Sequence, residues 1–422
     1  MTDVRAYALY FPQFHRIAEN DAWWGEGFTD WVNVRRAQPL FPAHYQPRVP
    51  LGGRYYDQSE RETLAWQIDL ARTHGLSGFC HYHYWFEGKQ LLNTPTDMVL
   101  ADRSLDFPFA LAWANETWSR RWDGQNHLIL IEQTHRRDHA MWLRHFEYLF
   151  RFWSDPRAIT IDRRPVFMIY RPHHIPDLAE LLDFWRERAI ERGLPGVYFV
   201  AIKQYEFPRP EQIAHFDAIM QFAPFEAMFS PTYRGPKGLE QERWLQPLRR
   251  LPDAWQHRLR RWKDQLWPTR TEYDYESLWA HLVERPTREA GKPSMPGAFI
   301  DWDNTARYGR RARLFLGASP ERFRHWFGEL ARRVAAKPAP ESYIWINAWN
   351  EWSEGTYLEP DERYGLAHLE AVRDVLAEVR SSTERKADPV QHEVGLPVGK
   401  DAERHHGSRH HQSHPRQEAR LR

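Results

Sequence analysis

The feature that most constrains this chain is a recurring alternation. Short runs rich in β-branched and aromatic residues are each followed by a stretch long enough for a helix. Eight such runs stand out: 4–10, 78–85, 108–115, 165–170, 196–202, 216–222, 297–302 and 342–349. Between most of them lie segments with apolar residues at three- and four-residue spacing, such as 60–73, 139–153, 178–192 and 320–335. Strands that alternate with helices predict parallel pairing, because each crossover helix carries the chain back to the same end of the sheet. Eight such units predict an α/β fold of the single (β/α)8, TIM-type barrel kind. A doubly wound open sheet is the competing arrangement, but no G-x-G-x-x-G follows the first run and no Walker-type loop occurs.

The 422 residues suit one barrel of about 250 residues with insertions and a tail. The expected organisation is a catalytic domain over 1–380 and a disordered His/Arg-rich tail over 381–422, where apolar periodicity stops. Two insertions interrupt the barrel pattern. Residues 23–56 are dense in aromatic, Pro and Gly residues and are expected to fold over the strand ends. Residues 234–271 interleave Arg249, Arg250, Arg258, Arg260 and Arg261 with Trp244, Trp255, Trp262 and Trp267. That pattern suits either a phosphate-binding surface or a solvated helix face with its Trp side chains turned inward.

Composition excludes several classes. With 58 Lys plus Arg against 57 Asp plus Glu, the summed charge offers no long-range attraction to nucleic acid or an anionic membrane. No apolar run approaches the ~20 residues of a membrane span. The lone Cys80 excludes an internal disulfide framework and a cysteine-based zinc site. With no basic leader before the first apolar run, the expected location is cytoplasmic.

In a barrel the chemistry sits where strands end, and here those ends collect polar and aromatic groups. The first ends in Tyr10, Gln13 and His15; the second in His83 and Trp85; the third in Trp113, Asn115 and Glu116. The seventh ends in Trp302, Asp303 and Asn304, and the eighth in Trp349, Asn350, Glu351 and Glu354. Tryptophan is unusually frequent, 21 of 422 residues, and its broad ring suits the C–H faces of a sugar while polar neighbours bind the hydroxyls. Glu351 and Glu354 lie three apart, with Gly355 allowing a tight turn, so both carboxylates can enter one pocket. A carboxyl pair is the usual equipment for glycosidic-bond chemistry; structural pairing with arginine is the plainer use.

Two rival sites share these ends. His81 and His83 form an H-x-H on one strand face, as in metal-dependent barrel hydrolases, but strands five and eight supply no further His or Asp ligands, so a hydrogen-bonding His83 in the cleft is expected instead. Asp301-x-Asp303 has the form that holds a divalent ion and diphosphate in many nucleotide-sugar transferases.

The stretches 10–15, 20–34, 44–48, 83–86, 113–118, 302–305 and 348–355, with Trp113-Ala114-Asn115-Glu116 and Ala348-Trp349-Asn350-Glu351-Trp352-x-Glu354-Gly355 among them, closely resemble the WbsX family. Those proteins are described as lipopolysaccharide-biosynthesis glycosyltransferases whose domain is similar to glycoside hydrolase family 99. The resemblance covers roughly residues 4–375. It implies a (β/α)8 barrel that makes or cleaves glycosidic bonds of a bacterial surface polysaccharide without a metal or organic cofactor. It also implies that Glu354 is the general acid/base at the glycosidic oxygen. Glu351 would deprotonate the sugar's own 2-hydroxyl, which attacks the anomeric carbon to give a 1,2-anhydro sugar. Two other readings stay open: a nucleotide-sugar transferase using Asp303 and the arginine-rich insertion, and a non-catalytic glycan-binding protein.

Overall fold

The computed structural model describes residues 3–120, 125–204, 209–233, 270–337 and 342–387. Its centre is a parallel sheet built from β1 (Arg5–Tyr10), β2 (Gly78–Phe86), β3 (Phe109–Trp113), β4 (Arg164–Ile169), β5 (Tyr198–Lys203), β6 (Ala218–Gln221), β7 (Lys292–Met295), β8 (Gly297–Phe299) and β9 (Tyr343–Asn347). The pairing order is β7-β6-β5-β4-β3-β2-β1-β9-β8. The two ends of that order are consecutive in the chain. β7 pairs with β6, β8 pairs with β9, and only Pro296 separates them.

Each of the eight expected runs overlaps a strand of this sheet. The seventh begins earlier than its run, at Lys292, because the chain pairs on both sides of Pro296. Helices α1 (Ala18–Trp24) and α2 (Asp30–Arg36) lie in or beside the first insertion, and α3 (Arg61–Thr73) and α4 (Thr94–Ala101) flank β2. Then come α5 (His139–Trp153), α6 (Leu178–Glu191), α7 (Tyr275–Val283), α8 (Thr305–Tyr308), α9 (Pro320–Ala335) and α10 (Ala367–Ala387). Local chemistry starts two of them. The Asp138 carboxylate accepts from Ala140 and Met141 N–H at the head of α5, and Ser319 caps α9 with Pro320 in its first turn. α10 continues through Ser381 to Ala387, past the point where the tail was expected to begin. Residues 388–422 of the tail and 234–269 of the arginine-rich insertion lie outside the described residues.

Side chains alternate across the sheet and divide the core in two. On one face Tyr7, Leu9, Cys80, Tyr82, Tyr84, Ala112, Met168 and Trp345 pack together. On the other, Ala8, Tyr10, Phe79, Leu111, Phe167 and Ile346 meet helix residues such as Leu64, Phe146, Leu182, Trp185 and Phe323. Complete burial of a large apolar side chain such as Trp185, Phe167 or Phe323 contributes about 1.5–3 kcal/mol. Among the described residues no helix is long and apolar enough to cross a membrane.

Candidate active site

The Glu351–Glu354 segment is shaped by a minimal hairpin. β10 (Asn350–Glu351) pairs antiparallel with β11 (Thr356–Tyr357), and one 3₁₀ turn, Trp352–Glu354, joins them. Residues three apart eclipse in a 3₁₀ turn, which brings the two glutamates to the same side. Gly355 closes the turn at φ 67°, and a Cβ there would stand 3.0 Å from Asp303 Cβ, N and O. Asp303 N–H donates to the Glu354 carbonyl at 2.7 Å, so the end of the seventh expected strand run fixes the backbone of the eighth. Asn350 ties the hairpin to the end of β1. Its side chain accepts from Phe11 N–H at 2.8 Å and donates to Phe11 O at 2.9 Å.

Both carboxylates converge on a residue the sequence does not single out. Arg307, on α8, donates Nη1 to Glu354 at 2.5 Å, and its Nη2 lies 3.4 Å from Glu351 and 3.1 Å from Asp30 on α2. Asp30 and Glu351 are buried, whereas the Glu354 side chain keeps 21% of its exposure. Burial, then the neighbouring Glu354 charge, pushes the Glu351 carboxyl well above the ordinary range; burial also raises Glu354, against the pull of Arg307. Tyr82 and Tyr84 of β2, and Tyr170 just past β4, lie close enough to feel these charges. Gln13, buried just past β1, accepts the Asp30 N–H on its main-chain carbonyl at 3.1 Å.

A further buried carboxylate supports the hairpin from below. Glu359 accepts from Tyr56 O–H at 2.7 Å, Gln67 Nε2 at 2.7 Å and Trp352 Nε1 at 2.6 Å. Burial nevertheless raises it to about 7. Tyr10 joins this network by donating to Gln67 Oε1 at 2.7 Å.

The structure brings only some of the expected site residues to the carboxylates. Glu351, Glu354 and Asn350 form the hairpin, and Glu116 stands on the rim. Glu116 pairs with Arg171 at 2.8 Å, while its charge contributes to the raised Glu354. Asn115 acts on backbone, accepting from Arg171 N–H at 2.7 Å and donating to its carbonyl at 2.9 Å. His15 is buried, and burial lowers its imidazole to about 4.

Six aromatic or histidine residues expected in the cleft sit on the helix-facing side instead: Tyr10, His83, Trp85, Trp113, Trp302 and Trp349. His83 Nε2 meets His145 Nε2 of α5 at 2.9 Å. Trp85 stacks on His145 with centroids 4.5 Å apart, Trp113 donates to Trp85 O, and Trp349 packs on Phe79. Trp302 abuts Phe225. The reason is parity: along β2 every second side chain crosses the sheet. Turning Tyr82 and Tyr84 toward the carboxylates therefore turns His81, His83 and Trp85 toward the helices. His81 accordingly lies against Thr96 of α4 at 3.2 Å. Trp85 and Trp113 line a separate open-mouthed cavity of about 100 Å³ with Trp142, His145 and Trp185.

The Asp301-x-Asp303 pair has a structural use. Asp303 Oδ2 accepts from His44 at 2.9 Å and Gln46 at 2.6 Å, and Oδ1 accepts the Thr305 hydroxyl at 2.5 Å; Arg48 pairs with Asp301 at 2.7 Å. These contacts staple the first insertion across the strand ends. Asn304 supports the same corner by accepting Arg313 N–H at 2.8 Å. The His44 and Thr305 hydrogen bonds and the Arg48 charge lower Asp303 to about 2 despite its burial. Because the folded value is depressed below the ordinary 3.8, this group's stabilisation is complete above about pH 4 and is lost as pH falls through 2. Asp303→Asn is therefore expected to destabilise the fold at pH 7 and to flatten its acid denaturation between pH 4 and 2, measured by circular dichroism melts.

The family profile described as Glycosyltransferase WbsX matches residues 6–372. The chain belongs to the WbsX glycosyltransferase family. A relative, the uncharacterized protein WxcX of Xanthomonas campestris pv. campestris (strain B100), is 37% identical over 370 residues, 87% of this chain and 49% of that protein. The chain thus spans about half the length of the curated relatives it matches. Among solved structures, it resembles the GH99 endo-alpha-mannosidase from Bacteroides thetaiotaomicron, with TM-score 0.51 and 14% identity, covering 91% of this chain and 100% of that one. A glycoside hydrolase-like protein gives TM-score 0.54 and 11% identity over 89% and 94%. At these identities the likeness speaks for the fold alone.

Proposed function

We propose that this WbsX-family chain is a carbohydrate-active enzyme that makes or cleaves glycosidic bonds of a bacterial surface polysaccharide through Glu351 and Glu354. The observation that carries the reading is the convergence of a buried and a partly exposed carboxylate, both raised above the ordinary range, on one side of a rigid hairpin, beside Tyr82, Tyr84 and Tyr170. Carboxyls held in unlike environments divide acid from base. The reading takes the sheet as a closed (β/α)8 barrel; pairing of β6 with β7 and β8 with β9 around Pro296 supports that closure.

In the proposed reaction Glu351 takes the proton of the sugar 2-hydroxyl as O2 attacks C1. Glu354 protonates the departing glycosidic oxygen, leaving a 1,2-anhydro sugar. Glu354 then takes a proton from water, or from an acceptor hydroxyl in transfer, as that oxygen attacks C1 and O2 recovers its proton from Glu351. Arg307 lies nearer Glu354 than Glu351, which favours the proton on Glu351. The incoming 2-hydroxyl, donating to Glu351, favours its ionised form and moves the proton to Glu354.

The nucleotide-sugar reading draws on the family description. Its diphosphate route through Asp303 is weakened because His44, Gln46 and Thr305 already occupy that carboxylate. The test is mass spectrometry of the source organism's surface polysaccharide after incubation with the protein, with and without a nucleotide-sugar mixture. Shorter chains with new reducing ends, formed without nucleotide sugars, are expected. Extension only with nucleotide sugars makes the protein a sugar-nucleotide transferase, and binding without any product makes it a glycan-binding protein.

A further inference from the structure

Arg307 is the least expected member of the site. It sits on a four-residue helix in no recognisable motif, is itself buried, and faces three carboxylates from three different elements: Asp30 on α2, Glu351 on β10 and Glu354 at the end of the 3₁₀ turn. Other groups acting on the cluster are the tyrosines Tyr82, Tyr84, Tyr170 and Tyr308, the rim carboxylate Glu116, and the Phe11 ring with the guanidinium 5.4 Å from its centroid. Three ionised carboxylates around one cation leave two uncompensated negative charges in a buried space. One proton on the glutamate pair reduces that excess to one. Like charges sharing a site cannot all ionise at neutral pH.

We infer that Arg307 and Asp30 are positioning residues that set how many protons the Glu351–Glu354 pair carries, holding it near one at neutral pH. The inference rests on the functional reading above only for its purpose, since one proton per pair is what an acid and a base require. Its physical content stands apart from any substrate. The guanidinium stabilises the ionised forms and Asp30 opposes ionisation, so removing each shifts the pair in opposite directions. A merely structural role for the two residues gives no such opposition.

The experiment is an infrared pH titration of the full chain, following the C=O stretch of protonated carboxyl groups. Glu359, raised to about 7, contributes to the same band, so the signal of the pair is isolated by subtracting spectra of Glu351→Gln and Glu354→Gln. The pair titrates as a unit, and the difference is read as belonging to both. Wild type is expected to retain a protonated-carboxyl signal at pH 7. In Arg307→Gln that signal is expected to persist about one to three pH units higher, and in Asp30→Asn to vanish at lower pH than in wild type. Arg307→Lys, which keeps the charge, is expected to titrate near wild type, and circular dichroism identifies any variant that has not folded. Coincident titrations of the wild type and the folded charge-removing variants overturn the inference. Failure of the functional reading is separate: it is read from full turnover of polysaccharide by Glu354→Gln and leaves the titration result standing.

Discussion

Glu354→Gln is expected to lower turnover on the surface polysaccharide by about 10²–10⁴-fold, with the melting temperature unchanged or raised. The amide keeps the shape of the side chain and can accept from Arg307, but it has no proton to give the leaving oxygen. The loss corresponds to about 3–5 kcal/mol of transition-state stabilisation. Because Glu354 lies in a cluster with excess negative charge, neutralising it relieves repulsion, which is why stability and activity are expected to move apart. Product formation per unit time, measured beside a thermal melt of the same preparation, checks both. Wild-type turnover in the variant removes Glu354 from the chemistry. Glu351→Gln is expected to behave alike, with loss of the group proposed to draw the proton from the 2-hydroxyl.

The second large effect concerns the seam of the sheet. Gly297→Ala is expected to destabilise the protein by about 3 kcal/mol or more, the upper range for overpacking. A Cβ at Gly297 would lie 1.9 Å from the Gln221 carbonyl oxygen and 2.9 Å from Ala223 N. Both are backbone atoms at the end of β6, so no rotamer change relieves the clash. Only separation of β8 from the end of β6 does, and that loosens the place where the two ends of the strand order meet around Pro296. Chemical denaturation of the variant reads the loss directly. A stability within 1 kcal/mol of wild type, on the order of ordinary surface substitutions, removes the close packing argued for this seam.

The fold and the candidate site were unevenly legible in the linear chain. The eight runs located the central strands because β-branched and aromatic clusters between turn residues mark strands locally. α5 and α9 matched their expected spans because apolar spacing and capping are written within a few residues. The Glu351-x-x-Glu354 pair was visible because two residues three apart share a side of any tight turn.

Tertiary structure decided what those local signals leave open. β2, Gly-Phe-Cys-His-Tyr-His-Tyr-Trp-Phe, is buried on both faces, so its His-Tyr alternation does not say which side meets the carboxylates. Tyr82 and Tyr84 take that side, and His83 and Trp85 go to α5, only because neighbouring strands impose the register. Arg307 and Asp30 lie 277 positions apart, in segments whose own sequence is indifferent to charge pairing. They meet Glu351 and Glu354 because the first insertion is stapled to Asp301 and Asp303 over the strand ends. Sequence alone determined the strands, the main helices and the carboxylate pair, since each depends on spacing within a few residues. The face of each strand and the charges around that pair depend on contacts between distant segments, which exist only once the sheet has formed.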